Sequence, residues 1–212
     1  MSFLIHSSLK NPALIHPVTH GRGRSQPRQY PYYCQESFFT AMKVLVVIPP
    51  ENFRDEELAK PLEAFEKAGI TFDIASTRRG QCRGMLGARA TASLSLEEVE
   101  PSDYAGIVII GGTGSPVHLW NNDMLVELVK YFSKNNRLIA AICLSPVVLA
   151  HAGILKGKSA TCYESPSSTK EMLKGGARLA GTPVVTDGNI ITANGPAAAA
   201  EFAGAIVRAL KG

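Results

Sequence analysis

The chain has 212 residues, 45% of them hydrophobic and 19% charged. That is enough for one substantial core plus a tail, and no run approaches the roughly 18 apolar residues of a membrane span. The formal net charge of +4 is uneven. Residues 1–41 carry Lys10, Arg22, Arg24 and Arg28 against Glu36 alone, which leaves 18 basic and 17 acidic residues in the remainder, and a near-neutral body offers no footprint for nucleic acid.

The first 41 residues hold Pro12, Pro17, Pro27 and Pro31, the basic G-R-G-R at 21–24 and Tyr30, Tyr32 and Tyr33, with no sustained period. They read as a disordered leader. The basic, acid-poor start also suits an organelle transit-like extension, but its arginines lack amphipathic spacing, and a secretory h-region is missing. Residues 42–212 are expected to form the single α/β domain, with a cytoplasmic location and organelle targeting by 1–41 as the alternative.

From Met42 the pattern becomes regular. Val44 to Ile48 is a continuous β-branched and apolar run, as for a strand buried on both faces of a parallel sheet, and Pro49-Pro50 ends it. Asp55 to Ala68 places Leu58, Leu62 and Phe65 on one helical stripe, closed by Gly69. Phe72–Ala75 is the next strand, and Ile107–Ile110 another, stopped by Gly111-Gly112. Leu125, Leu128, Val129 and Phe132 mark an amphipathic helix. Leu138–Ile142 is a strand with Cys143 at its end, and Pro146 suits the first turn of the helix that follows. Short strands near Ser159–Cys162, Val184–Val185 and Ile190–Ala193 precede a closing Ala-rich helix from about Pro196 to Leu210. This alternation predicts one doubly wound α/β sandwich around a mostly parallel sheet.

The four cysteines, Cys34, Cys82, Cys143 and Cys162, form no C-x-x-C pair, and their scatter fits neither a zinc site nor a disulfide framework. Neither a metal nor a cofactor is expected, and each thiol is a question of reactivity. In open α/β sheets ligands bind outside the carboxyl ends of the strands. Three features fall there together: Cys143 on an abrupt strand-to-helix turn, Glu56 and Glu57 after the first strand, and Gly111-Gly112-Thr113-Gly114 after the third. A thiolate is a nucleophile that a helix N-terminus stabilises, so Cys143 is expected to have the lowest thiol pKa of the four. A glycine turn exposes N–H groups to a developing oxyanion, and a nearby carboxylate can relay the proton. Taken alone, Cys143 would read as an ordinary core cysteine. The turn and the acid reverse that reading, by the logic of a nucleophile elbow with cysteine in place of serine.

M-K-V-L-V-V-I-P, F-R-D-E-E-L, V-I-I-G-G-T-G-S, A-A-I-C-L-S-P and T-D-G-N-I-I-T-A-N-G-P-A-A-A-A-E-F-A, in that order from Met42 to the C-terminus, resemble the ThiJ/PfpI superfamily, which includes the Parkinson-associated deglycase-like and PfpI intracellular protease-like proteins. The resemblance implies a flavodoxin-like, class I glutamine amidotransferase-like fold, the elbow cysteine at Cys143 and its hydrogen-bonding acid at Glu57. It also implies an oxyanion turn and pocket at Gly111, Gly112, Thr113 and Leu144, a rim turn at Gly195-Pro196, and a homodimer or higher homo-oligomer. Two departures stand out. Leu144 occupies the position where PfpI-type members often have His, and Cys162 stands where deglycase-like members often have one. His151 lies two helical turns past Cys143 and should point away, while His118 can reach the pocket from its loop. Trp120 reads as a packing or interface anchor, Cys82 as a surface-loop thiol, and Arg78 and Arg79 as solvated.

Three functions compete. The leading expectation is a glutathione-independent glyoxalase or deglycase that binds a small 2-oxoaldehyde as a Cys143 hemithioacetal, with Glu57 moving the proton. The second is a non-catalytic, redox-responsive stress protein or chaperone sensing peroxide at Cys143, which needs no histidine. The third, a PfpI-type cysteine peptidase, suffers most from the missing Cys–His pair.

Overall fold

In the computed structural model, residues 42–212 are described. The expectations for residues 1–41, Cys34 included, lie outside them. Strand β1 (Lys43–Val47) runs into β2 (Glu51–Phe53) and helix α1 (Asp55–Ala68), then β3 (Thr71–Ser76), β4 (Gly80–Gly84), β5 (Arg89–Ala92) and β6 (Leu94–Ser95). Next come β7 (Gly106–Ile109), the short α2 (Ser115–His118), α3 (Asp123–Lys134), β8 (Leu138–Ile142) and α4 (Pro146–His151). The chain ends with β9 (Ser159–Ala160), α5 (Pro166–Lys174), β10 (Arg178–Leu179), β11 (Val184–Asp187), β12 (Ile190–Ala193) and α6 (Ala199–Lys211).

The central sheet has the order β11-β12-β8-β7-β1-β3-β6, parallel except where β11 runs against β12. Side chains of a strand alternate between its faces, and the core divides accordingly. Val44, Val46 and Ile48 pack on one side with Leu58 and Phe65 of α1 and Phe202 and Ile206 of α6. Leu45 and Val47 point to the other side, against Leu125, Val129 and Phe132 of α3 and Val147 and Val148 of α4. Both faces are covered, which is why β1, β7 and β8 carry almost no polar side chain. Helix α1 ends as expected at Gly69, whose φ of 69° is left-handed and whose N–H bonds the Phe65 and Glu66 carbonyls. Among the described residues no helix is long and apolar enough to cross a membrane.

This layout fixes the site. After β1 the chain winds outward to β3 and β6, then returns to the opposite side of β1 for β7, β8 and β12. The carboxyl ends of β1 and β7 therefore flank a topological switch point, with β8 next to β7. Cys82 departs from its expected place: it is buried in β4, in a small three-stranded sheet of order β2-β4-β5 beside the switch point, and not in a surface loop.

Candidate active site

Cys143 follows β8 with a φ of 63°, a left-handed conformation that costs a non-glycine residue about 1–2 kcal/mol. Strain of this kind persists only where the surroundings over-determine it. Here the Cys143 N–H donates to Ala193 O at 2.8 Å, extending the pairing of β8 with β12, and Cys143 O accepts from Tyr163 N at 2.8 Å. Trp120 Nε1 donates to Leu144 O at 2.7 Å, so this indole is a packing residue that ties down the turn. The buried Ser145 hydroxyl donates to Ile110 O at 2.8 Å and lies 2.9 Å from the equally buried Ser115 hydroxyl. These bonds clamp the elbow to the end of β7. Ser145→Ala should therefore lower stability by about 1–3 kcal/mol, because Ile110 O and Ser115 lose a buried partner. A shift in the urea midpoint at constant m value checks it.

The glycine turn after β7 admits nothing larger. A Cβ at Gly111 would lie 2.6 Å from both Cys143 Cβ and Ile142 O, and 2.7 Å from Glu57 Oε2. Gly112 has a φ of 105°, and a Cβ there would meet Asn52 O at 2.3 Å. The close approach lets the backbone reach both reacting groups. Gly111 N–H donates to Glu57 Oε2 at 3.1 Å, while the N–H groups of Gly112 and Leu144 act on the Cys143 thiol. Of the expected oxyanion donors, Gly112 and Leu144 thus turn their N–H groups to the sulfur, and Gly111 is spent on the acid.

Glu57 sits in the first turn of α1 on the face that buries Leu58, Pro61 and Phe65. It is fully buried, and its Oε1 has no hydrogen-bond partner. Burial pushes the carboxyl up to about 7, although the Cys143 thiol and the Gly111 N–H pull it partly back. Glu56, one residue earlier, is partly exposed and bound by Arg54 at 2.8 and 3.0 Å. The expected depression of the Cys143 pKa is reversed: burial first, then the charge of Glu57, push the thiol up to about 12. Helix α4 is only six residues long, and its end does not offset the loss of water. Burial raises the other described thiols too, Cys82 and Cys162.

Cys143, 7% exposed, and Glu57 open into a cavity of about 180 Å³. Gly112, Thr113, Leu144 and Pro196 line it, together with Arg54, Met85 and Tyr163, which the sequence reading missed. Gly195 lies behind this rim, where a Cβ would stand 3.6 Å from the Tyr163 ring. Two expectations are corrected. Cys162 points into the core beneath α5, and its neighbour Tyr163 faces the cavity instead. His118, the last residue of α2, does not line the cavity. His151 also stays away, with its ring nitrogens 2.7 Å from Trp120 O and 3.0 Å from Glu171 Oε2. It borders a larger open cleft of about 760 Å³ that holds neither Cys143 nor Glu57.

The model of the DJ-1/PfpI family matches residues 42–209. An uncharacterized protein of Methanocaldococcus jannaschii is 50% identical over 169 residues, covering 80% of this chain and 82% of its own. A protein of Pyrococcus abyssi named a deglycase is 31% identical over 155 residues, covering 73% of this chain and 91% of its own. Among solved structures, a ThiJ/PfpI domain protein from Brachyspira murdochii superposes with a TM-score of 0.76 at 33% identity, covering 80% of this chain and 96% of that one.

Proposed function

The chain belongs to the DJ-1/PfpI family, and on that premise we propose that it is a cysteine-dependent, glutathione-independent glyoxalase or deglycase acting on small 2-oxoaldehydes at Cys143. The observation that carries this reading is the buried Glu57 beside the sulfur, with one oxygen unpartnered and a pKa of about 7. A carboxyl poised there is matched to proton transfer at neutral pH. The thiol itself is held protonated, so attack is coupled to its deprotonation. An S–C bond forms to the aldehyde carbon, and the thiol proton passes by way of Glu57 to the carbonyl oxygen, which faces the Gly112 and Leu144 N–H groups and becomes the hemithioacetal hydroxyl, leaving Glu57 ionised again. Glu57 then moves the proton from that carbon to the adjacent ketone carbon while the hydroxyl proton passes to the ketone oxygen, giving a 2-hydroxy thioester. Water cleaves the thioester, releases the 2-hydroxy acid and restores the thiol. The net change is addition of one water, with no external oxidant or reductant.

The cavity of about 180 Å³ suits a three-carbon aldehyde and leaves little room for a peptide. A relative named a deglycase adds support from the family. The redox-sensor reading draws on a cavity with no histidine in its lining. The raised thiol pKa bears on both readings alike, because the thiolate is the form that adds to an aldehyde and the form that peroxide oxidises. The cytoplasmic homo-oligomer implied by the resemblance belongs to the same proposal.

The test is lactate release from methylglyoxal without glutathione. Since the base must be ionised, kcat/KM should rise as pH passes through about 7 and fall about tenfold per pH unit below it. Absence of lactate, or a profile flat across that pH, overturns the reading.

A further inference from the structure

The mouth of the Cys143 cavity is partly closed by the turn between β4 and β5, and that turn is built to stay in place. Its first residue, Met85, lines the cavity and is 37% exposed. Asp55 holds the turn with both carboxylate oxygens: Oδ2 accepts from Leu86 N at 3.0 Å and Oδ1 from Ala88 N at 2.8 Å. Met85 N donates to Phe53 O at 2.9 Å, and Gly84 N to Ala88 O at 2.8 Å. At Gly84 a Cβ would stand 2.5 Å from Asp55 Oδ2, so the glycine is what lets the carboxylate reach the turn. Asp55 opens α1 two residues before Glu57, and one helical turn therefore carries both the acid and the anchor of the opposite rim.

We infer that Met85 sets the size limit of the substrate at this site, restricting it to 2-oxoaldehydes with a short alkyl substituent, and that Asp55 is the positioning residue that keeps Met85 over the cavity. The volume, about 180 Å³, lies well below the roughly 300–1,000 Å³ of sites for drug-sized ligands. Met85 is the long, unbranched side chain at the mouth, and truncating it removes apolar bulk there without touching Cys143, Glu57 or the glycine turn. The substrate class rests on the proposed aldehyde chemistry; the size limit does not.

The experiment keeps the two apart. Alkylation of Cys143 by iodoacetamide and by N-benzyliodoacetamide, followed by mass spectrometry of its peptide, measures access without turnover. Met85→Ala should cut the small-to-large rate ratio by about tenfold, the scale on which apolar pockets discriminate bulk. Met85→Leu, of similar volume, should restore most of it. Asp55→Asn should lower the ratio in the same direction at a temperature well below its own melt, and the ratio should stay unchanged as urea is raised short of unfolding, which excludes a loss of stability as the cause. In turnover, Met85→Ala should raise kcat/KM for 2-oxooctanal relative to methylglyoxal by a similar factor. An alkylation ratio unchanged in Met85→Ala overturns the inference whatever the catalytic result. A lowered ratio with no turnover of either aldehyde supports the size limit and overturns the proposed function.

Discussion

Cys143→Ala is expected to reduce lactate formation from methylglyoxal to the buffer rate, because the hemithioacetal needs a thiol and no second one among the described residues lines the cavity. Alanine keeps the Cβ, so the positive φ at this position and the tethers at Ala193, Tyr163 and Ser145 remain. The fold should survive, and circular dichroism with a thermal melt would confirm it. A second readout identifies the partner of the sulfur. The thiol holds the Glu57 pKa down against burial. Its removal should therefore move that pKa further above 7, seen as a shift in the carboxyl infrared band. Turnover that survives in Cys143→Ala would move the chemistry elsewhere, and an unmoved Glu57 would dissolve the pair.

The main frame of this site was legible because it stands on strands buried on both faces. Leu138–Ile142 and Ile190–Ala193 can be read almost residue for residue, since such strands are nearly all apolar, Thr192 being admitted because its hydroxyl accepts from Thr161 N. Helix α1 was equally clear from its stripe and Gly69. Strands β4 and β5 were not: Gly80-Gln-Cys-Arg-Gly buries only Cys82 and Gly84, and Arg89-Ala-Thr-Ala only its last residue. Short, half-wet strands look like loop, and Met85 and the buried Cys82 were lost with them. Helix α5 was not among the expected elements: Ser165-Pro166, a capping serine before a first-turn proline, opens it, but it buries only Ser168 and Met172 and so shows no stripe. The exchange of Cys162 for Tyr163 is a matter of one residue in an extended segment, where neighbours face opposite ways and sequence does not set the phase.

The charge state of the nucleophile was the deeper miss. A cysteine before a helix suggests a stabilised thiolate, yet the elbow here is followed by six helical residues and surrounded by Ile142, Ala193 and Ala198. Desolvation then outweighs the helix end. The same burial that raises the thiol raises Glu57, and two such neighbours cannot both be charged cheaply. The thiol keeps its proton through neutrality while Glu57 titrates, which makes Glu57 the group on which activity and stability diverge.

Glu57→Gln should accordingly lower methylglyoxal turnover by about 10²–10⁴-fold, the usual loss on removing a general acid–base. The amide keeps the size and can still accept from Gly111 N–H, so iodoacetamide should continue to label Cys143. The same substitution should make the protein more stable at alkaline pH. A carboxyl raised from 4.5 to about 7 binds its proton more tightly in the folded state than in the unfolded one. Its contribution is most favourable below pH 4.5, declines as pH rises towards 7, and above that leaves an ionised buried carboxylate that costs about 3 kcal/mol. Glutamine never ionises. The melting-temperature difference between variant and wild type should therefore be small in acid and grow through neutrality to a plateau in alkali, reduced by whatever the buried amide N–H groups cost in lost partners. Peroxide treatment of both proteins completes the test. Under the enzyme reading Glu57→Gln loses turnover and changes the oxidation of Cys143 little. Under the sensor reading the wild type shows negligible turnover, and the substitution mainly alters how far the sulfur oxidises. Full turnover in Glu57→Gln would remove Glu57 from the mechanism. A melting-temperature gain that does not depend on pH would mean that Glu57 is not the buried titrating group.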